Sequence, residues 1–148
     1  MRTKKMLGIG VAVLAAVFVW LLPSLGAQPA EKPAASAASR LAVVWTSADP
    51  DVAHRVCLMY THAARKAKWF DEVRLIVWGP SARLLAGDKD LQAKVKTMMA
   101  DGVIVQACIV CADSYGVTGT LRDLGIEVKA MGQPLTQMLK DGCKTLTF

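Results

Sequence analysis

The sequence predicts an α/β protein, a mostly parallel five-stranded sheet in a three-layer α/β/α arrangement. Three observations carry this. Short apolar runs at 41–45, 73–78, 103–107 and 126–130 alternate with segments of helical period. Turn residues (Asp49-Pro50, Gly79-Pro80, Gly87-Asp88, Gly102, Gly125 and Gly142) punctuate the changes of period. The connections between strands are otherwise short, which places helices on both faces of one sheet.

Each element follows from its residues. Leu41-Ala-Val-Val-Trp45 suits a strand buried on both faces. Asp49 stands as an N-cap, with Pro50 at the first helical position. Val52, Val56, Met59, Tyr60, Ala63 and Ala67 recur at helical spacing and are read as the apolar face of that helix. The second strand runs from Val73 to Trp78 and closes at Gly79-Pro80. A brief helix through Leu84-Leu85 stops at Gly87. Asp88 caps the next, with Leu91, Val95, Met98 and Met99 along one stripe and Gly102 ending it. Val103 to Ala107 forms the third strand and leads into Cys108-Ile-Val-Cys111. Gly116 and Gly119 interrupt the helical segment that follows, each at about 1 kcal/mol relative to Ala in a helix interior. That predicts two short helices, or one backbone pressed on the sheet. Ile126 to Ala130 is the fourth strand, Pro134 opens a last helix that Gly142 ends, and Cys143 to Phe148 alternates as a half-buried fifth strand.

The first 40 residues read differently. Arg2, Lys4 and Lys5 precede an uncharged stretch from Met6 to Leu22, broken by Pro23 and followed by the small residues Ser24 to Ala27. Residues 1–27 therefore have the pattern of a secretory signal peptide. The apolar run also approaches the length of a spanning helix, so an uncleaved N-terminal anchor is the alternative. Either way the basic end stays cytoplasmic and the domain is expected outside, in the periplasm or an equivalent compartment. Membrane contact is expected only through this segment. Residues 28–40, rich in Ala, Pro and Ser, are read as a linker and residues 41–148 as the domain.

Charge excludes one class of partner. The chain has 18 basic and 12 acidic residues, but five of the basic ones and only Glu31 of the acidic ones lie in the first 40. The domain keeps 13 and 11, a net charge of +2, and nucleic acid is not expected as a partner. Arg65-Lys66-Lys68 reads as the solvated end of a helix. No phosphate loop, dinucleotide fingerprint or pair of carboxylates on one face is present, and no cofactor is expected.

The chemistry centres on Cys108 and Cys111. In parallel sheets ligands lie beyond the carboxyl ends of the strands, where strand order reverses. The common five-strand order puts strands 1 and 3 there, so the loops after Trp45 and Ala107 should face each other, with both cysteines in the cleft. A helix start favours thiolate over thiol, and the thiolate is the nucleophile in disulfide exchange or attack on sulfane sulfur. Two-residue spacing also lets the pair close on itself. A structural disulfide and two inert core thiols are the plainer readings. Zinc would need four ligands, with Cys57, Cys143, His54 or His62 converging on the pair, and no metal site is expected. A thioredoxin-type site shares the strand–CxxC–helix order, but its motif follows an early strand and its fold needs later antiparallel ones. Cys57 is read as half-buried and inert, Cys143 as structural, His54 and His62 as surface residues, and Trp45 and Trp78 as core or as walls of the cleft.

Taken together, the motifs resemble the DsrE/DsrF-like family, which includes the TusD-type sulfur carriers. The marks are Val77-Trp78-Gly79-Pro80 closing a strand, a Leu-Leu helix, Gly102-Val103 opening the third strand, Cys108-Ile-Val-Cys111-Ala112, Gly116-Val117, and Gly125-Ile126 opening the fourth. The resemblance covers most of residues 41–148. It implies a homo-oligomer, trimer or hexamer, and in sulfurtransferase members a persulfide on a Cys in the loop after the third strand. That position matches Cys108, with Cys111 within reach as a resolving thiol. The implied partner is a protein or small compound that gives or takes sulfur. A non-catalytic oligomer that binds a small ligand or partner, with a static Cys108–Cys111 disulfide, is the second reading.

Overall fold

In β1 (Arg40–Trp45) five consecutive side chains are buried, because both faces of the strand are covered. A computed structural model of the chain describes residues 38–148. The leader of residues 1–27, and all of the linker before residue 38, lie outside the described residues. The fold reaches slightly upstream of Leu41. Arg40 already pairs with Glu72, and Ser39 donates to the Asp71 carboxylate from its backbone N–H at 2.7 Å and its hydroxyl at 2.9 Å.

The other strands are β2 (Glu72–Val77), β3 (Ile104–Cys108), β4 (Glu127–Lys129) and β5 (Lys144–Thr147), and every pairing is parallel. Their order is β4-β3-β2-β1-β5. This corrects the expected meeting of strands 1 and 3, since β2 lies between them. The order also explains the layers. Right-handed crossovers from β1 through to β4 all advance in one direction and lay their helices on one face; the return from β4 across to β5 runs the other way and lays its helix on the opposite face.

The first face holds the larger core. Asp49 accepts the Asp51 and Val52 N–H groups at 2.8 and 3.2 Å and starts a helix of three parts: α1 (Pro50–Val52), a π-helical stretch (Ala53–Cys57) and α2 (Leu58–Lys66). Ala53, Cys57, Leu58, Thr61 and Ala64 are the buried residues here. Val56 and Met59, expected on the apolar face, are instead 41% and 57% exposed. The wider π turn shifts the phase of the helix by about one residue, and an apolar pattern read at constant period misses that. α3 (Pro80–Gly87) follows β2. α4 (Lys89–Ala100) starts where Asp88 accepts from the N–H groups of Asp90 and Leu91 at 2.9 and 3.0 Å. It ends at Gly102, whose φ of 91° favours glycine and whose missing side chain leaves room for the Arg65 guanidinium. α5 (Ile109–Ser114) and α6 (Thr118–Asp123) are the two short helices, separated at Gly116.

The second face is covered by α7 (Gly132–Lys140), none of whose residues is fully buried. Leu135 and Met138 of α7 pack on a small cluster of Ala42, Val44, Ile76, Cys108, Met131 and Cys143. Beyond it a polar chain crosses the sheet. Arg74 bonds Glu72 at 2.7 Å and Gln106 at 3.4 Å, Gln106 donates to Glu127 at 2.5 Å, and Lys129 pairs with Glu127 at 2.8 Å. The expected half-burial of the fifth strand is corrected as well: all four residues of β5 are exposed, because it is an edge strand and only β1 flanks it. It is held by its backbone, with the Phe148 carbonyl accepting from the N–H groups of Thr46 and Ser47 at 2.7 and 3.1 Å.

Candidate functional site

Cys108 is the last residue of β3 and Cys111 lies in the first turn of α5. The turn after β2 sits beside them. Ser81, fully buried, donates to the Trp45 carbonyl at 2.5 Å and accepts the Trp78 N–H at 3.1 Å, which locks the ends of β1 and β2 together. Gly79 then adopts φ 68° and ψ −137°, and its backbone N–H opposes the rise that burial imposes on the Cys111 thiol. Cys111 packs, partly buried, against the apolar cluster that holds Cys108. All four cysteines are free thiols.

Two expectations about this pair are corrected. Cys108 is not open at a rim: it is 5% exposed and belongs to the apolar cluster under α7. Cys111 is the half-buried member, and Val110 beside it is 69% exposed, so the surface meets the pair at 110–111. The helix start also does not lower the Cys111 thiol. Burial pushes its pKa up, the Gly79 N–H opposes that, and the Cys108 thiol adds to the rise. Desolvation of a thiolate outweighs one backbone donor.

The remaining candidates lie apart. Cys57 is fully buried rather than half-buried, and burial pushes its thiol up to about 12. Cys143 shares the face of Cys108 but precedes β5, at the opposite end of the sheet. Burial raises its thiol, with the Arg40 guanidinium opposing. Trp45 is core, and its indole N–H has no partner; Trp78 packs partly buried against the cluster that holds Cys108. His54 faces Asp88 at 3.8 Å. His62, expected on the surface, is mostly covered and bridges Asp101 at 2.6 Å and Lys94 at 2.9 Å. Two open clefts, of about 610 and 400 Å³, lie over Arg83 to Asp90 and over Arg65 to Asp71, and neither is lined by Cys108 or Cys111.

Sequence reasoning missed the His62–Asp101–Lys94 cluster, in which α4 and its C-cap meet a residue of α2 more than thirty positions away. It also missed the Arg74–Gln106–Glu127 chain. A signal existed there: Gln106 interrupts an apolar strand, and Arg74 and Glu72 alternate onto one face of another.

A parallel α/β fold with a close pair of free thiols at the end of its third strand is the class these features define. The chain belongs to the DsrE/DsrF-like family, whose family model matches residues 26–148. It is similar to a solved conserved protein of unknown function, BT1422 from Bacteroides thetaiotaomicron, at 33% identity over 74% of this chain and 95% of that one, with a TM-score of 0.72. It also shares its fold with the ychN protein from E. coli, at 20% identity, 74% and 99% coverage and a TM-score of 0.61. MTH1491 from Methanobacterium thermoautotrophicum, another protein of unknown function, matches at 19% identity, 74% and 99% coverage and a TM-score of 0.57. No curated protein matches the chain.

Proposed function

We propose that this is an exported DsrE-like protein that handles sulfur or thiol redox chemistry through Cys108 and Cys111. The observation that carries the reading is the pair itself: two free thiols separated by two residues at the end of β3, one buried and one half-exposed. Family resemblance puts the persulfide on Cys108. Its thiolate attacks the outer sulfur of a donor persulfide, the donor leaves as a thiol, and Cys108 carries the added sulfur. The thiolate of Cys111 then attacks the inner sulfur of Cys108, closes the disulfide and releases hydrosulfide, unless an acceptor thiol takes the sulfur first.

Mass spectrometry after incubation with a sulfane-sulfur donor tests the assignment. The expected adduct has the mass of one sulfur atom, is absent in Cys108→Ser, and persists longer in Cys111→Ser. An unmodified wild-type chain would end the carrier reading. A Cys108–Cys111 potential below about −300 mV would make the bond a structural staple and favour a ligand- or partner-binding module. The leader pattern of residues 1–27 supports export, tested by the N-terminus and compartment of the mature protein. Family resemblance supports a trimer or hexamer, read by native mass spectrometry.

A further inference from the structure

The second face of the sheet gathers sulfur ligands in a dry setting. Cys111, in the first turn of the helix that Cys108 caps, packs against the cluster that holds Cys108. Met131, fully buried, sits at the start of α7 in the same cluster as Cys108, and Met138 packs against that cluster. Register explains the meeting: Cys108 of β3 stands opposite Lys129 of β4, and Met131 follows just past the end of that strand. The rest of that cluster is Ala42, Val44, Ile76 and, toward the other end of the sheet, Cys143.

Among the described residues, no three or more His, Cys, Asp or Glu side chains are grouped to hold a metal ion. A structural zinc ion, which takes four such ligands, finds no set here. Two thiolates and a thioether in an apolar pocket match a different ion. Soft sulfur ligands at low coordination number select monovalent copper.

We propose that Cys108, Cys111 and Met131 form a binding site for Cu(I), the two thiolates as primary ligands and the Met131 thioether as the third. Binding releases both thiol protons and moves no electrons; copper enters and leaves as Cu(I). The bound site carries one net negative charge. The Gly79 N–H, which opposes the rise of the Cys111 thiol, offsets part of that charge. The half-exposed Cys111 is the entry point, where a chelator or partner thiol hands over the ion. The site uses the same thiols as sulfur transfer but does not rest on that chemistry.

The test uses the full chain, reduced and free of oxygen, titrated with Cu(I) held by bathocuproine disulfonate. The expected result is one Cu(I) per chain withdrawn from the chelator, with thiolate-to-copper charge-transfer absorption in the near ultraviolet. Cys108→Ser and Cys111→Ser each remove it. Cys111→Ser changes a half-exposed side chain, so its circular dichroism stays native and the loss reads the site rather than the fold. Met131→Leu conserves volume and weakens competition with the chelator by about tenfold or more. Uptake by wild type no greater than by the double Ser variant overturns the site, as does full uptake by Cys111→Ser. Unchanged affinity in Met131→Leu overturns the third ligand. A chain that accepts sulfane sulfur but ignores Cu(I) loses the metal site and keeps the sulfur reading; the reverse result does the opposite.

Discussion

The backbone N–H of Gly79 opposes the rise that burial imposes on the Cys111 thiol, so the turn after β2 bears on the first turn of α5. The contact depends on a backbone state, φ 68° with ψ −137°, that side chains strongly disfavour. A Cβ added at Gly79 meets nothing within 4 Å, so the penalty for Gly79→Ala is conformational and not steric. We expect a loss of about 1–3 kcal/mol in a thermal or urea melt. If the turn relaxes to escape the strain, the donor leaves Cys111 and its thiol rises further. The alkylation rate of Cys111 against pH should then move to higher pH. A destabilised variant with an unchanged profile would show that the turn holds and the contact survives.

Exposure ranks the four thiols, and labelling reads the rank. Cys111 is half-buried, Cys108 and Cys143 are nearly sealed, and Cys57 has no exposure at all. Under native conditions an alkylating reagent should mark Cys111 first and Cys57 only on unfolding. Peptide mapping over time gives the order directly. Early labelling of Cys57 would mean that the first helix opens on its own.

Cys57 also links stability to pH. Its thiol ionises at about 12 in the fold against 9.0 without burial. Below 9.0 both states hold the proton and the fold keeps its full stability. Between 9.0 and about 12 the unfolded chain ionises first, so the fold loses up to about 1.4 kcal/mol per pH unit from this group. Burial raises Cys111 and Cys143 in the same sense. Urea midpoints should fall as pH rises above 9, and Cys57→Ala, though less stable at neutral pH, should show a shallower slope. An identical slope in the variant would remove Cys57 from the account.

The first three strands were legible in the sequence because each is a short apolar run with Gly, Pro or Asp close to one of its ends, and the caps at Asp49 and Asp88 were legible from side-chain chemistry. The position of Cys108 at the end of β3 followed from the same punctuation. Strand order was not legible, since periodicity says that a strand exists and nothing about its neighbours. The burial of Cys108 depends on that order: the reversal from β4 to β5 carries α7 over the second face, where Met131, Leu135 and Met138 pack with the cluster that holds Cys108. The phase of the first helix was lost for a local reason. A π turn adds backbone within one turn, and the residues after it present a different side to the sheet.

Asp101 ties the end of α4 to the first helix. Its carboxylate takes the His62 ring at 2.6 Å and lies 3.8 Å from Lys66, while Lys94 donates to the other ring nitrogen at 2.9 Å. The hydrogen bond from His62 holds the Asp101 carboxyl below the usual carboxylate range, with Lys66 helping. A depressed carboxyl stabilises the fold above its unfolded value and gives that up as pH falls through the folded value. Asp101→Ala should therefore be less stable than wild type at neutral pH, and the gap should shrink in acid. Chemical denaturation at several pH values measures the gap; a gap independent of pH would assign the loss to packing instead.

The cover over Cys108 is the least anchored part of the fold near the pair. No residue of α7 is fully buried, whereas α4 buries Leu91, Gln92, Val95 and Met98. Regions with few buried apolar groups open at low cost while the rest of the domain stays folded. The amides of α7 should exchange with deuterium well before those of α4. If the opening of α7 is the route by which reagents reach Cys108, Leu135→Ser should accelerate alkylation of Cys108. It should leave the rate at Cys111 nearly unchanged, because that thiol already meets solvent at the Val110 side. Met131→Ala acts on the same cover from within and should cost about 2–5 kcal/mol as a buried large-to-small change. The two variants separate the contributions: Leu135→Ser loosens the helix, and Met131→Ala leaves a cavity under its first turn. Equal acceleration at both cysteines would mean that the pair is reached together, through the turn at Gly79, and that α7 is a fixed wall.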